Sequence, residues 1–233
     1  MAIHGRDLLL FLVSAALYLA YEAFLSRRVR SNPNYSVQAV NQRLRRAWVA
    51  YVLEREERAI VAVQTLRNTT MSATFLASTA VLLMLGTLNL MSHTERLATS
   101  WQLFMGSEPA HPEFWIVKLF ALVIDFFVAF FSFAMAIRLF NHAGYQLTLT
   151  PERSPMTVEE IATSLNRAGR HYTIGMRAYY LSVPLVCWLF DPLLMLIGML
   201  GIVLFLSQLD KSPKQRELER KEGKYRSGSL RSR

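Results

Sequence analysis

Four long apolar stretches constrain this chain more than any other feature of its sequence. They cover residues 8–25, 69–91, 114–140 and 176–207. A helix of about 20 apolar residues crosses the hydrocarbon core of a bilayer, which is about 30 Å thick. Since 52% of all residues are hydrophobic, we predict an all-α, polytopic membrane protein. Residues 1–209 then form one helical membrane domain.

The fourth stretch is too long for one plain crossing, because a single helix over 176–207 would measure roughly 50 Å. Within it, Asp191 followed by Pro192 is typical of a helix start. An Asp caps free N–H groups, and a Pro at the first helical position loses no hydrogen bond. We therefore predict a break there, which produces a re-entrant hairpin, a kinked span or two passes. The whole chain would make three to five membrane passes.

Basic residues are concentrated in three segments between or after the apolar stretches. Nine Arg follow the first stretch, four Arg follow the third, and nine Lys or Arg lie in the tail from Asp210, whereas the segment after the second stretch holds only Arg96. Cytoplasmic loops carry an excess of Lys and Arg. We predict that the N-terminus is periplasmic and that the basic loops are cytoplasmic. A fourth stretch that turns back would place the tail with those loops.

The first basic segment also carries a helical pattern. Apolar residues recur at helical spacing over residues 36–53, with Trp48 and Tyr51 among them. This pattern predicts an amphipathic interfacial helix at the lipid headgroups. Because no Gly or Pro lies between Val37 and Leu85, the alternative is one long rod that continues into the second stretch.

Three shorter features complete the predicted organisation. Asp7 is a candidate N-cap for the first apolar helix, which we expect to remain uncleaved. Thr157 and Glu160 have the spacing of a capping box, and we expect the helix that they open to end at about Ala168. The tail at 210–233 has too little apolar surface to fold and is predicted to be disordered or drawn to anionic lipid.

Three stretches of the sequence resemble one family of membrane proteins. They read NTTMSATFLAST at 68–79, IRLFN at 137–141, and GMRAYYLSVPLVCWLFDP at 175–192. On these stretches the chain resembles the domain of unknown function 599 family of bacterial and plant proteins. The resemblance implies a helical membrane protein of unassigned activity, in bacteria one of the plasma (inner) membrane. It supplies no catalytic residues. Asp125 departs from the family pattern, which has an apolar residue there, and Tyr172 and Thr173 replace a Phe-Asn pair.

Three ionisable residues lie inside the apolar stretches. Asp125 is near the middle of the third stretch, where a charged carboxylate costs about 2.5–3.5 kcal/mol. It is therefore expected to face the helix bundle, as a proton or cation site or as a neutral acid that donates an interhelical hydrogen bond. Lys118 lies about 10 Å away along the helix, so a direct pair is not expected. Glu22 is expected to form an interfacial ion pair with the Arg residues at 27–30.

A second group of polar residues falls at the predicted cytoplasmic helix ends. Arg supplies a fork of donors and Tyr a hydroxyl, so such a group could bind a ligand or a lipid headgroup phosphate. Belt residues and helix-end contacts would produce the same pattern. The candidate residues are Arg138, Asn141, Arg177, Tyr179 and Tyr180.

The remaining chemistry-bearing residues form no recognisable motif. Cys187 is the only cysteine, the five His lack metal-ligand spacing, and no nucleophile or phosphate-binding motif is present. We therefore predict no enzyme activity, no metal, no cofactor and no nucleic acid partner. The expected partners are the lipid bilayer and either a membrane protein or further copies of the chain. The leading functional prediction is a non-enzymatic accessory or scaffold component with a basic cytoplasmic face. The alternative is a small oligomeric transporter or channel that uses Asp125.

Overall fold

The computed structural model is built from long α-helices and describes residues 2–32, 34–96, 112–149 and 156–213. Outside these ranges lies most of the predicted tail, from residue 214 onward. The described part contains six helices of more than fifteen residues: α1 (Ala2–Ser31), α2 (Val37–Leu53), α3 (Arg58–Met91), α4 (Pro112–Leu147), α5 (Val158–Phe190) and α6 (Pro192–Leu209).

Five of these helices are long and apolar enough to cross a membrane, namely all except α2. Their outward faces carry large apolar side chains, such as Phe75 and Leu82, which are 73% and 69% exposed. Such faces suit lipid and would be unfavourable in water. The predicted all-α, polytopic fold is therefore confirmed.

The break in the fourth apolar stretch is where the sequence predicts it. The Asp191 carboxylate accepts a hydrogen bond from the Leu193 N–H at 2.6 Å, and Pro192 opens α6. However, the first half of the stretch is not a short re-entrant arm. It is the end of α5, a helix of 33 residues that begins at the Thr157 capping box. The predicted end of that helix near Ala168 is wrong, because no Pro interrupts it before Pro184.

Gly175 lies in the middle of α5 and makes close packing with α4 possible. A Cβ at this position would come within 2.8 Å of the Phe133 ring. Phe133 itself is completely buried and also contacts Tyr172 and Tyr179. Glycine therefore costs helix propensity here but allows α5 to lie against a large aromatic side chain.

Two polar layers bound the apolar part of the molecule. The first layer contains Asp7, Lys118, Trp188 and Asp191. The second layer is basic and contains Arg27, Arg138, Arg170 and Lys211. Within α1, α4 and α5, and from Asp191 through α6, the layers are about 20 residues or about 30 Å apart. This spacing matches the thickness of a bilayer core.

Beyond the basic layer, α3, α4 and α5 continue for about ten more residues and form a bundle with α2. Val49 and Val52 of α2 are buried in one core with Leu147 of α4 and Ile161 of α5. The helix predicted at 36–53 is therefore present, and its two valines are covered by protein, whereas Leu44 and Tyr51 of the predicted apolar face are 64% and 54% exposed. The alternative of one long rod is wrong, since α2 ends at Leu53 and α3 begins at Arg58.

If all five of these helices cross, the start of α1 and the end of α6 lie on opposite sides of the membrane. We expect a topology reporter fused after Arg233 to give the same signal as one inserted at 54–57, and the opposite signal to one inserted after Ser92. The basic side is expected to be cytoplasmic. A C-terminal reporter that agrees with the Ser92 insertion would show that α5 and α6 do not both cross.

Candidate functional site

A cavity of about 560 Å³ lies between α1, α4 and α5 inside the apolar part of the molecule. It exists because α1 packs closely along α6 and keeps its backbone farther from α4 and α5. Most of its lining is apolar, with Phe11 and Ile174 as examples. Four polar side chains also line it: Tyr18, Glu22, Asp125 and Arg177.

Arg177 forms an ion-pair cluster with two carboxylates at the end of the cavity nearer the basic layer. Its guanidinium contacts Glu22 of α1 and lies 2.7 Å from an oxygen of Asp210, directly after α6. The Tyr21 hydroxyl donates to the same Asp210 oxygen at 2.6 Å, and Tyr18 lies beside Glu22 and Arg177. We call Glu22, Arg177 and Asp210 the inner cluster. It joins three helices through side chains that are mostly buried.

A second set of contacts closes the opposite end. The Lys118 ammonium of α4 lies 3.2 Å from the Asp7 carboxylate of α1 and donates to the Trp188 carbonyl at 3.0 Å. The Trp188 indole N–H donates to Asp7 at 3.2 Å, and its ring stacks on Phe11 at 4.7 Å. We call Asp7, Lys118 and Trp188 the outer cluster. The predicted role of Asp7 as an N-cap is wrong, because α1 already begins at Ala2.

Asp125 lies between the two clusters, about 10 Å along α4 from Lys118. One of its oxygens, Oδ2, is fully buried and accepts no hydrogen bond from any described residue. The structure therefore shows no interhelical hydrogen bond at that oxygen. As expected, Lys118 does not pair with Asp125; it contacts Asp7 and the Trp188 carbonyl instead. An ionised carboxylate in such a place is costly unless a proton or a cation reaches it.

The structure changes the prediction for Glu22. Glu22 pairs with Arg177 of α5 and not with the arginines at 27–30, because the inner cluster lies one to two turns deeper than those arginines.

The five candidate headgroup residues do not form one group. Arg177 belongs to the inner cluster, the Tyr179 hydroxyl donates to the Leu76 carbonyl, and the Tyr180 ring packs on Phe205. Arg138 is exposed, and Asn141 lines a separate cavity between α3 and α4.

Sequence reasoning missed three members of the two clusters, Asp7, Trp188 and Asp210, and it also missed Tyr21, which donates to Asp210. The available signal was their position. Asp7 and Asp210 flank apolar helices, positions where a carboxylate can pair with another helix as well as act as a helix cap or belong to a tail. No group of three or more His, Cys, Asp or Glu that could hold a metal occurs among the described residues.

The fold and this cavity define a polytopic α-helical membrane protein with four polar side chains on a cavity between its membrane helices. A family model described as "Protein of unknown function, DUF599" matches residues 9–214. The chain belongs to this family, as the resemblance at 68–79, 137–141 and 175–192 indicated. No curated protein and no solved structure gives a significant match. The matched region contains Glu22, Asp125, Arg177 and Asp210.

Removal of Arg177 tests the inner cluster. Arg177→Gln leaves two poorly exposed carboxylates without their cation, so we expect a loss of about 3–5 kcal/mol in the free energy of unfolding. The triple variant E22Q/R177Q/D210N removes all three charges and is expected to recover most of that loss. Denaturant unfolding in detergent measures both. If the triple variant were as unstable as Arg177→Gln, the uncompensated carboxylates would not be the cause.

Arg6→Gln is the matched control for this experiment. Arg6 lies 3.6 Å from Asp191 in a pair whose side chains are 65% and 41% exposed. Exposed pairs contribute roughly 0–1 kcal/mol. We therefore expect this substitution to leave stability nearly unchanged.

Proposed function

We propose that the protein is a small transporter or channel in which Asp125 binds a proton or a cation. Two observations on one residue carry the proposal: Asp125 lines the same cavity as Glu22 and Arg177, and its buried Oδ2 has no hydrogen-bond partner among the described residues. Ionisable residues inside membrane helices are expensive and commonly mark ion pathways.

The charges around the cavity favour a cation over an anion. The three carboxylates of Glu22, Asp125 and Asp210 outnumber the one guanidinium of Arg177, so the sum is −3 + 1 = −2 when all are ionised. Arg177 is already shared between Glu22 and Asp210, so the inner cluster keeps a net charge of −1, and Asp125 adds a carboxylate that has no ion-pair partner among the described residues. Asp125 lies between the polar layers, seven residues from Lys118 and thirteen from Arg138 on α4, and such a position suits a binding site within a pathway.

The two clusters act as gates in this proposal. Each joins α1 to the α4–α5 pair through side chains at one end of the cavity, while the middle is held open. Dissociation of one cluster would connect Asp125 to one side of the membrane, and closure of both would isolate it. Such a mechanism needs only a small displacement of α1 with α6 relative to α4 and α5.

The transport proposal keeps the prediction that the protein is not an enzyme, and it is compatible with an oligomer of this chain.

The bundle that α2 forms with α3–α5 supports a second candidate function, the accessory component expected from the sequence. This bundle projects from the basic layer and exposes Arg167 and Arg170, which suits contact with an acidic partner. Purification in mild detergent followed by mass spectrometry would reveal a stoichiometric partner; a homogeneous protein without one would contradict this candidate.

Asp125→Asn is the direct test of the transport proposal. The amide keeps the size of the side chain but neither titrates nor carries charge, so we expect at least a tenfold loss of proton or cation flux. Flux is measured in proteoliposomes with a pH-sensitive or cation-sensitive dye, and expression and unfolding temperature should remain unchanged.

The matched control is Glu113→Gln, at the exposed start of the same helix. It removes an equal charge outside the cavity and should leave the flux intact. Two results contradict the proposal: wild-type flux in Asp125→Asn, or wild-type protein that carries no proton, Na⁺ or K⁺ flux.

A further inference from the structure

Arg45 of α2 is held in a cleft against α5, at a distance from the Asp125 cavity. Its Nε donates to the Asn166 amide oxygen at 3.0 Å, and the Asn166 amide donates to the Gln42 carbonyl at 3.4 Å. The guanidinium lies over Gly169, where a Cβ would come within 2.7 Å of the Arg45 Cζ. A side chain at residue 169 would therefore displace the guanidinium from this position.

This guanidinium has no carboxylate partner among the described residues, unlike two other arginines of the same basic segment. Arg46 pairs with Glu159 at 2.7 Å and Arg58 pairs with Glu54 at 2.9 Å. Partial burial lowers the pKa of Arg45 by desolvation, yet an arginine stays charged. A half-buried cation whose terminal nitrogens have no acceptor in the described chain is a costly arrangement that an external anion would relieve.

A cavity of about 370 Å³ adjoins Arg45 between α2, α3, α4 and α5. Trp48 and Leu44 line it from α2, and Thr65 and Thr69 line it from α3. Phe140, which also lines it, is two residues from Arg138 of the basic layer, so the cavity lies at the level where lipid phosphates are found. Tryptophan is common at this depth because its ring is apolar and its N–H donates.

We propose that Arg45 and the cavity beside it bind a phosphate group, namely that of an anionic phospholipid headgroup. The Asn166 amide holds Nε and leaves the two terminal nitrogens to donate to two phosphate oxygens, a geometry that arginine favours. The Trp48 and Leu44 side chains supply apolar contact for the glycerol region of the lipid. This site is separate from the predicted group of Arg138, Asn141, Arg177, Tyr179 and Tyr180, and it does not depend on the transport proposal.

The test compares binding of phosphatidylglycerol and phosphatidylcholine of equal chain length to the full-length chain in mild detergent. Native mass spectrometry counts bound lipid, and thermal unfolding reports its effect on stability. We expect the wild type to retain phosphatidylglycerol preferentially and to unfold at a higher temperature with it. Arg45→Gln should weaken that retention at least tenfold, and Arg45→Lys should restore part of it.

Arg46→Gln is the matched control. Arg46 is the next residue in the sequence and belongs to an exposed ion pair with Glu159, so the substitution removes the same charge outside the cleft. It should leave lipid retention unchanged. Gly169→Ala is a second variant that keeps every charge but displaces the guanidinium, and it should also weaken retention. It keeps the test decisive if Arg45→Gln fails to fold.

A parallel arm uses inorganic phosphate at millimolar concentration. A stabilising effect of phosphatidylglycerol alone identifies a lipid as the source of the phosphate group. Stabilisation by inorganic phosphate that Arg45→Gln abolishes supports the same anion site and identifies a soluble ligand. The proposal is overturned if Arg45→Gln and Gly169→Ala retain lipid as the wild type does, or if Arg46→Gln loses it equally. Either result would leave Arg45 as a structural link between α2 and α5.

Discussion

The ion pairs of Arg177 with Glu22 and Asp210 are the interaction on which the arrangement of the membrane helices depends. They join α5 to α1 and to the end of α6 through side chains separated by 155 and 33 residues in the sequence. In an apolar environment such a cluster is stable only when its charges remain together. Because α1 is held to α4 and α5 by side chains at its two ends, its middle need not close against them. The cavity at Asp125 is a direct consequence of that geometry.

Helix length explains the second main feature, the bundle outside the bilayer. The 18 residues of α6 span about 27 Å, whereas the 36 residues of α4 span about 54 Å. The longer helices must therefore extend beyond the basic layer, where their apolar faces would meet water. The amphipathic helix α2 covers those faces, which is why its valines are buried in protein. The same packing brings Arg45 against α5 at headgroup depth.

Local signals in the sequence predicted the helices well and their partners poorly. Apolar length, the Asp191-Pro192 pair and the capping box at Thr157 each act within a few residues, so one sequence displays them. Pairing between distant residues has no such signal. Asp7 precedes an apolar run, as a helix cap does, and its sequence neighbours give no sign of Lys118 as its partner. Glu22 is followed closely by arginines in the sequence, which favours those arginines over Arg177 as its predicted partner. The sequence identifies Asp125 as a candidate residue of the site. The cavity that it lines and the two clusters at its ends can be recognised only from the folded structure.

The structure also narrows the interpretation of Asp125. A neutral acid in a membrane helix is usually explained by a hydrogen bond to another helix. The buried Oδ2 has no such partner in the described chain, and Lys118, the cation nearest on α4, is held by Asp7 and Trp188. Packing alone would favour an apolar side chain at this position, since burial of an unpaired polar group costs free energy that no hydrogen bond offsets. A carboxyl group without a partner that lines a cavity is the arrangement that the proposed proton or cation site requires.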